Sequence, residues 1–348
     1  MSEPIDRNVS FRALIKGELD DFLSDEGWTC AETSSALVAL VAGLAGYREE
    51  GVSLSPEVLV CQQVSKLSQM LHRSEVIRIG DGPRTEQTIV KVLKECAPLA
   101  QGGWSIFVER TSTTFNYGVF SATRLPLAVT PHEAIMEEPP SDALAIFVRN
   151  VGHNCVEVRG CRGNRRCLHF SAARPESPSP ETAIDQLAES FTFDVPKEIQ
   201  ESTFRFCYRA LTESLRKSHG ALIAVLPKRE PALPCEIEDA IVFERPIDLA
   251  ARVSEFDKLR DNESMSKLQT TEELLAGMIA SDGIVVFRSD ASIIGYRAFL
   301  RPYGSIDSIP TGGARRRTFE HLRLLIEGKQ IAAAFMRSQD GEHCFYRT

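Results

Sequence analysis

"TTEELLAGMIASDGIVVF" (270–287) passes from helix to strand within a few residues. "TTEELLAGMI" reads as a helix with Thr270 or Thr271 as N-cap. "GIVVF" (283–287) is a short continuous β-branched and aromatic run, the pattern of a buried strand. A helix that feeds a buried strand is the building unit of an α/β layer. The same order occurs upstream, where a helical pattern over 197–218 leads into "GALIAVLP" (220–227), read as a fully buried strand. Downstream, "SIIGYRAFL" (292–300), "IAAAFM" (331–336) and "HCFYRT" (343–348) read as strands. Between them, Phe319, Leu322, Leu325 and Ile326 fall at helical spacing, and Gly328 is the expected stop.

The N-terminal half has a different rhythm. One amphipathic helix is expected near 10–24, and a buried helix over 33–50 capped near Thr33 or Ser34. "SLSPEVLVCQQVSKLSQMLHR" (53–73) reads as another helix, with Ser55 as N-cap and Pro56 at its first position; "DGPRTEQTIVKVLKECAPLA" (81–100) reads as a third. The pattern then shortens to β-rich runs, "WSIFVER", "YGVFSATRLPLAV", "ALAIFVRN" and "CVEVRGCRGNRRCLHFS". "RPESPSPE" (174–181) holds three prolines in eight residues and is the best linker in the chain.

Composition bounds the function. A length of 348 residues suggests two domains, or one with a large insertion. With 43% apolar and 25% charged residues the chain is of ordinary globular type. A net charge of −8 argues against a protein built to coat nucleic acid or an anionic membrane. The longest apolar run, "SALVALVAGLAGY" (35–47), is too short to span a bilayer. The polar, acidic N-terminus predicts no signal peptide, and nine scattered cysteines predict reduced thiols, so a cytoplasmic location is expected.

Two basic stretches stand out in this acidic chain. Cys155, Cys161 and Cys167 are spaced by six residues near His153 and His169, with Arg159, Arg162, Arg165 and Arg166 around a Gly-Asn turn. A metal site, an anion site and a plain solvated hairpin are all compatible with that pattern. The second stretch is 281–323, with seven arginines, no lysine, and the acids Asp282, Asp290, Asp307 and Glu320. Arg315, Arg316 and Arg317 fall in the first turn of the helix after Gly312 and Gly313. Cations at a helix N-terminus oppose the dipole. A bound phosphate would resolve the conflict, because free N–H groups, dipole and guanidinium forks would converge on it. An ordinary surface arginine cluster is the other reading.

"GARRRTF" (313–319) resembles the Gly-x-Arg-His-Arg-x-Ala motif of DisA-type diadenylate cyclase domains, and "SDGIVVF" (281–287) resembles their Asp-Gly-Ala motif with its following strand. "LRKSHGALIAVLP", "RPIDLAARVSEF" and "IIGYRAFLRP" are similar to other pieces of that domain, in the same order, over about 200–348. The resemblance implies an α/β fold: a C-terminal cyclase-like domain (196–348) with a mixed sheet covered by helices. Before it would come an N-terminal extension (1–30), an α+β accessory domain (31–173) and a Pro-rich linker and connecting segment (174–195). In that family two facing domains each hold ATP and form cyclic di-AMP. Carried across, Asp282 would take the metal or hydroxyl role, with Mg²⁺ or Mn²⁺ as the ion in a catalytic site. Gly283 would lie beside the base; Gly312, Gly313, Arg315, Arg316 and Arg317 would hold phosphate, and Thr318 would cap the helix or donate to an oxygen. A homodimer through this domain is the assembly implied.

The departures point away from catalysis. Ile284 stands where the family has Ala and would crowd the pocket floor; Arg316 replaces His; and Gln339 occupies a carboxylate position, with only Asp340 nearby. The layout is most similar to the diverged DACNV sensor group. A sensor of a nucleotide or cyclic dinucleotide is therefore expected, without nucleic acid or membrane as partner. An active diadenylate cyclase and a partner-binding module without nucleotide are the alternatives.

Overall fold

The computed structural model describes residues 10–49, 52–70, 74–101, 103–121, 135, 144–152, 155–170, 180–229, 233–301, 313–339 and 342–347. The chain divides into two compact units, Met1–Ala172 and Ala173–Thr348. Both are mixed α/β.

The first unit runs α1 (Phe11–Asp25), α2 (Ala31–Leu44), the short pair β1 (Arg48–Glu49) and β2 (Val52–Ser53), β3 (Val58–Cys61), α3 (Val64–Met70), β4 (Glu75–Pro83) and α4 (Glu86–Cys96). It continues β5 (Trp104–Arg110), β6 (Thr114–Ser121), β7 (Ala145–Gly152), β8 (Cys155–Gly160) and β9 (Arg165–His169). Its main sheet has the order β4-β6-β5-β3-β7-β8-β9, with β3 and β5 parallel and the other pairs antiparallel. On one face, Leu19 and Phe22 of α1, Leu40 and Val41 of α2 and Val92 of α4 pack on Val58, Val60, Ile106, Val108, Val156 and Val158. On the other, Val64 and Leu67 of α3 cover Leu59, Cys61, Phe107 and Phe147.

That two-sided burial explains the main departure from the sequence reading in this unit. Residues 53–73 are not one helix capped by Ser55: Val58–Cys61 is a strand, and the helix starts only at Val64. Val58 and Val60 serve one core while Leu59 and Cys61 serve the other, a period-two division that only a central strand provides. The buried Glu109 carboxylate accepts the Val64 N–H at 3.1 Å and so starts α3 in place of Ser55. Likewise α2 begins at N-cap Cys30, and Thr33 and Ser34 are buried inside it, with Ser34 Oγ donating to Asp20 rather than capping. α4 starts at Glu86 after Thr85, because Asp81–Pro83 belong to β4.

The second unit runs α5 (Pro180–Thr192), α6 (Lys197–Lys217), β10 (Ala221–Leu226), β11 (Ile237–Glu238), β12 (Ile241–Asp248), α7 (Leu249–Leu259) and α8 (Asn262–Ala280). Then come β13 (Ile284–Arg288), β14 (Ser292–Leu300), α9 (Ala314–Glu327), β15 (Ala333–Arg337) and β16 (His343–Arg347). The sheet order is β11-β14-β13-β10-β15-β16, with β12 also pairing β14. β10 and β13 are parallel; their outer neighbours β14 and β15 run antiparallel to them. Phe319, Leu322, Leu325 and Ile326 of α9 cover Leu222, Ala224, Ile284, Val286, Ala334 and Met336 on one face. Phe191 of α5 stacks on Phe287 at a centroid distance of 3.9 Å.

α8 does not start at Thr270 or Thr271. It starts at Asn262, because Asp261 accepts the Ser264 N–H at 2.8 Å and the Ser264 hydroxyl at 2.6 Å. Asp248, without an evident partner in the sequence, caps α7 through the Ala251 N–H at 2.8 Å. α5 occupies residues 180–192 of the stretch read as linker and connecting segment, with Pro180 at its first turn; 174–179 lie outside the described residues. Among the described residues no helix is long and apolar enough to cross a membrane.

Candidate functional site

The arginine-rich hairpin of the first unit is closed from within. Glu26, just past α1, is buried, and its carboxylate fills the turn between β8 and β9. It accepts the Arg162 N–H at 2.9 Å, the Asn164 N–H at 3.3 Å and the Asn164 side-chain amide at 2.8 Å. A Cβ on Gly160 would sit 2.0 Å from the Glu26 carboxyl carbon, so only glycine admits this approach. Arg166 pairs with Asp25 at 3.1 Å, and Arg165 with the buried Glu157 at 2.5 Å. The anion read into "RGCRGNRRC" is the chain's own. Cys161 lies against Glu26 at 3.8 Å, away from Cys155 and Cys167; among the described residues no three of His, Cys, Asp or Glu gather to hold a metal ion, and His153 lies outside them.

The second unit is different. Extending the register Leu222↔Ile284 by two residues sets Gly220 level with Asp282, at the N-terminal ends of the parallel pair β10 and β13. Gly220 has φ +139°, and a Cβ there would stand 2.8 Å from Cζ of Arg315, so the guanidinium lies directly on the glycine backbone. Gly283 has φ +94°, and a Cβ there would meet Ala298 O and the Arg297 backbone at 2.9 Å. The β13–β14 register shifts here, between Ile284↔Ala298 and Val286↔Gly295, and Arg297 takes φ +54° in this bulge. One end of the sheet thus carries Gly220, Asp282, Gly283, Arg297 and Arg315.

α9 begins at N-cap Gly313, which offers no side-chain acceptor to its N–H groups. Gly312 lies outside the described residues. The three arginines that follow divide by partner. Arg316 is occupied: Nε meets Glu320 at 3.2 Å, and one terminal nitrogen meets Glu342 at 2.6 Å and Cys344 Sγ at 3.2 Å. Burial alone would depress this guanidinium, but Cys344, Glu342 and Glu320 outweigh it and raise its pKa. The three arginines that the sequence reading treated alike are therefore not alike: Arg316 is held by carboxylates of the chain itself. Arg315 and Arg317 have no carboxylate partner among the described residues, and Arg317 is exposed. Elsewhere in the cluster, Arg288 holds Asp290 and Arg301 holds Glu238, both at 3.0 Å, and Arg323 holds Glu320 at 2.9 Å.

Three further expectations are corrected. Thr318 neither caps α9 nor is free to donate: its hydroxyl bonds Ala314 O at 3.1 Å, one turn back. Ile284 is not a pocket floor; at 1% exposure it is core beneath α9. Asp282 is exposed, and its Oδ1 accepts the N–H of Gly283 at 3.0 Å. The described residues give it no second carboxylate, and Asp340 lies outside them, so they do not fit a protein-held Mg²⁺ or Mn²⁺.

The sequence reading gave no site role to Gly220, Arg297 or Arg337. Arg337 ends β15 opposite Ala221, its buried Nε meets no hydrogen-bond partner among the described residues, and burial lowers its pKa to about 10. No protein-family model matches the chain, and no curated protein sequence matches it.

Proposed function

We propose that the second unit binds a phosphate-bearing nucleotide or cyclic dinucleotide as a sensor, in a site of diverged diadenylate-cyclase type, without turning it over. The supporting observation is the division among the arginines. Arg288, Arg301, Arg316 and Arg323 are neutralised by carboxylates, whereas Arg315 and Arg317, in the first turns of a helix whose N-cap offers no side chain, meet none among the described residues. An anion placed there meets helix N–H groups and two guanidinium forks together. Asp282 and Gly283 border the same end of the sheet, in the place that the cyclase resemblance gives to ribose and base. Among the described residues no second carboxylate gathers with the exposed Asp282, which supports a ligand held without a protein-bound metal ion.

Titration calorimetry with cyclic di-AMP and with ATP, in the presence of EDTA, tests this reading. Binding is expected to be metal-independent, and Arg315→Ala with Arg317→Ala weakens it at least ~10-fold, since each charge-assisted contact contributes roughly 1.5–3 kcal/mol. An unchanged affinity in the double variant removes the proposal. The cyclase alternative predicts dinucleotide formed from ATP with Mn²⁺ or Mg²⁺, and its loss in Asp282→Asn.

A further inference from the structure

The hairpin β8–β9 brings two of the nine cysteines together. Cys155 faces His169 and Glu157 faces Cys167 across the ladder, so the two cysteines are diagonal neighbours on one face of the sheet. The two thiols are close enough to perturb each other's ionisation. Arg165 stands 3.8 Å from Cys167 Sγ, and His169 Nε2 stands 3.9 Å from Cys155 Sγ. Arg165 is fixed there by the buried Glu157, which also holds Arg149 at 2.6 Å. Cys155 is buried and Cys167 is partly exposed.

The two sulfurs are therefore unequal. Interaction with Cys155 lowers the Cys167 pKa, with burial opposing and Arg165 assisting; interaction with Cys167 and burial raise Cys155. Cys167, more exposed and beside the Arg165 guanidinium, is the sulfur placed to react first, and Cys155 is buried beside it. Both are free. The other buried thiols Cys61, Cys96 and Cys207 are raised by burial above all.

We propose that Cys155 and Cys167 are a redox pair that a hydroperoxide converts reversibly to a disulfide. The Cys167 thiolate attacks a peroxide oxygen; the O–O bond breaks, Cys167 becomes a sulfenic acid, and the departing hydroxide takes a proton to leave as water. The Cys155 sulfur then attacks the sulfenic sulfur, forming the S–S bond and releasing the second oxygen as water with the thiol proton. Two thiols and one hydrogen peroxide give one disulfide and two waters, so the electrons balance. Diagonal neighbours in a ladder sit farther apart than the usual disulfide span of about 5.5–6 Å between Cα atoms, so closure must shear β9 along β8. A bond made that way is readily reduced. The shear acts directly on Arg165, Glu157 and Arg149.

The test treats the full chain with hydrogen peroxide, blocks remaining thiols with N-ethylmaleimide and maps tryptic peptides without reduction. The expected product joins the peptides that hold Cys155 and Cys167 and disappears on adding dithiothreitol. In Cys155→Ser the crosslink is lost and dimedone traps a sulfenic acid on Cys167. If that variant does not fold, the wild-type map still decides. Peroxide that oxidises the exposed Cys235 but leaves Cys167 as thiol, or takes Cys167 to sulfinic acid without the crosslink, overturns the proposal.

Discussion

The chain has two arginine clusters, and they end in opposite states. Around the β8–β9 turn, Glu26 takes the hairpin N–H groups, Asp25 takes Arg166 and Glu157 takes Arg165. At the start of α9, among the described residues, Arg316 is paired with carboxylates while Arg315 and Arg317 are not. A cluster that supplies its own anions is architecture: its charges are spent on holding a turn. A cluster that leaves guanidinium groups unpaired beside helix N–H groups is set to receive an anion from outside. Arginine density does not separate the two cases. The position of the acids does.

The largest expected effect follows from removing the internal anion. Glu26→Ala leaves the Arg162 and Asn164 N–H groups without their acceptor and opens a void against Gly160. It is expected to destabilise the first unit by about 3 kcal/mol, read from urea denaturation, because loss of a buried charged acceptor leaves several donors stranded. The paired substitution Arg315→Ala with Arg317→Ala is expected to do the reverse: little loss of stability, and the weakened ligand binding stated above. If Glu26→Ala proves neutral, or the double arginine variant unfolds the second unit, the contrast between the clusters fails.

Much of the second unit was legible in the sequence. "GALIAVLP" and "GIVVF" are continuous apolar runs, and burial on both faces leaves such a run few options other than a strand. "EVLVCQQVSK" was less legible, because Pro56 after Ser55 mimics a helix start while the division of Val58–Cys61 between two cores is a tertiary fact. Long-range partners left no trace in the sequence. Glu26 meets a turn some 136 residues away, and Arg315 lies on Gly220, 95 residues earlier in the chain. Arg316 read like its neighbours because its partner Glu342 comes from another strand junction. The free cations were visible as a conflict between charge and dipole; which of the three is free was not.

A smaller effect sharpens the role of local pairing. Burial would raise the pKa of Asp290, but Arg288 and Ser292 win and lower it. The carboxylate's contribution is then full above the unfolded pKa of about 3.9 and is lost as pH falls through the lower folded value. Asp290→Asn is expected to cost about 1 kcal/mol at neutral pH. The gap between variant and wild type should close as the pH falls below about 3.9. A gap that persists in acid would mean that the turn depends on the shape of the side chain and not on its charge.

The smallest expected effect is the one that best divides the α9 triplet. Arg316→Gln removes contacts to Glu320 and Glu342 that are partly exposed, and such pairs contribute about 0.5 kcal/mol. Stability should therefore barely change. The substitution also frees the Glu342 carboxylate close to the α9 N-terminus and leaves Glu320 to Arg323 alone. The unscreened charge of Glu342 would repel a bound phosphate, so ligand affinity should fall by no more than about twofold, and raising the salt concentration should erase that loss. Arg315→Gln, by contrast, removes a guanidinium with no internal partner, and its loss of affinity should persist in salt because the contact itself is gone. Calorimetry of the two single variants at low and high ionic strength separates these outcomes. If Arg316→Gln proves as damaging as Arg315→Gln and insensitive to salt, Arg316 must leave Glu342 to meet the ligand, and the division of the triplet by internal pairing does not hold.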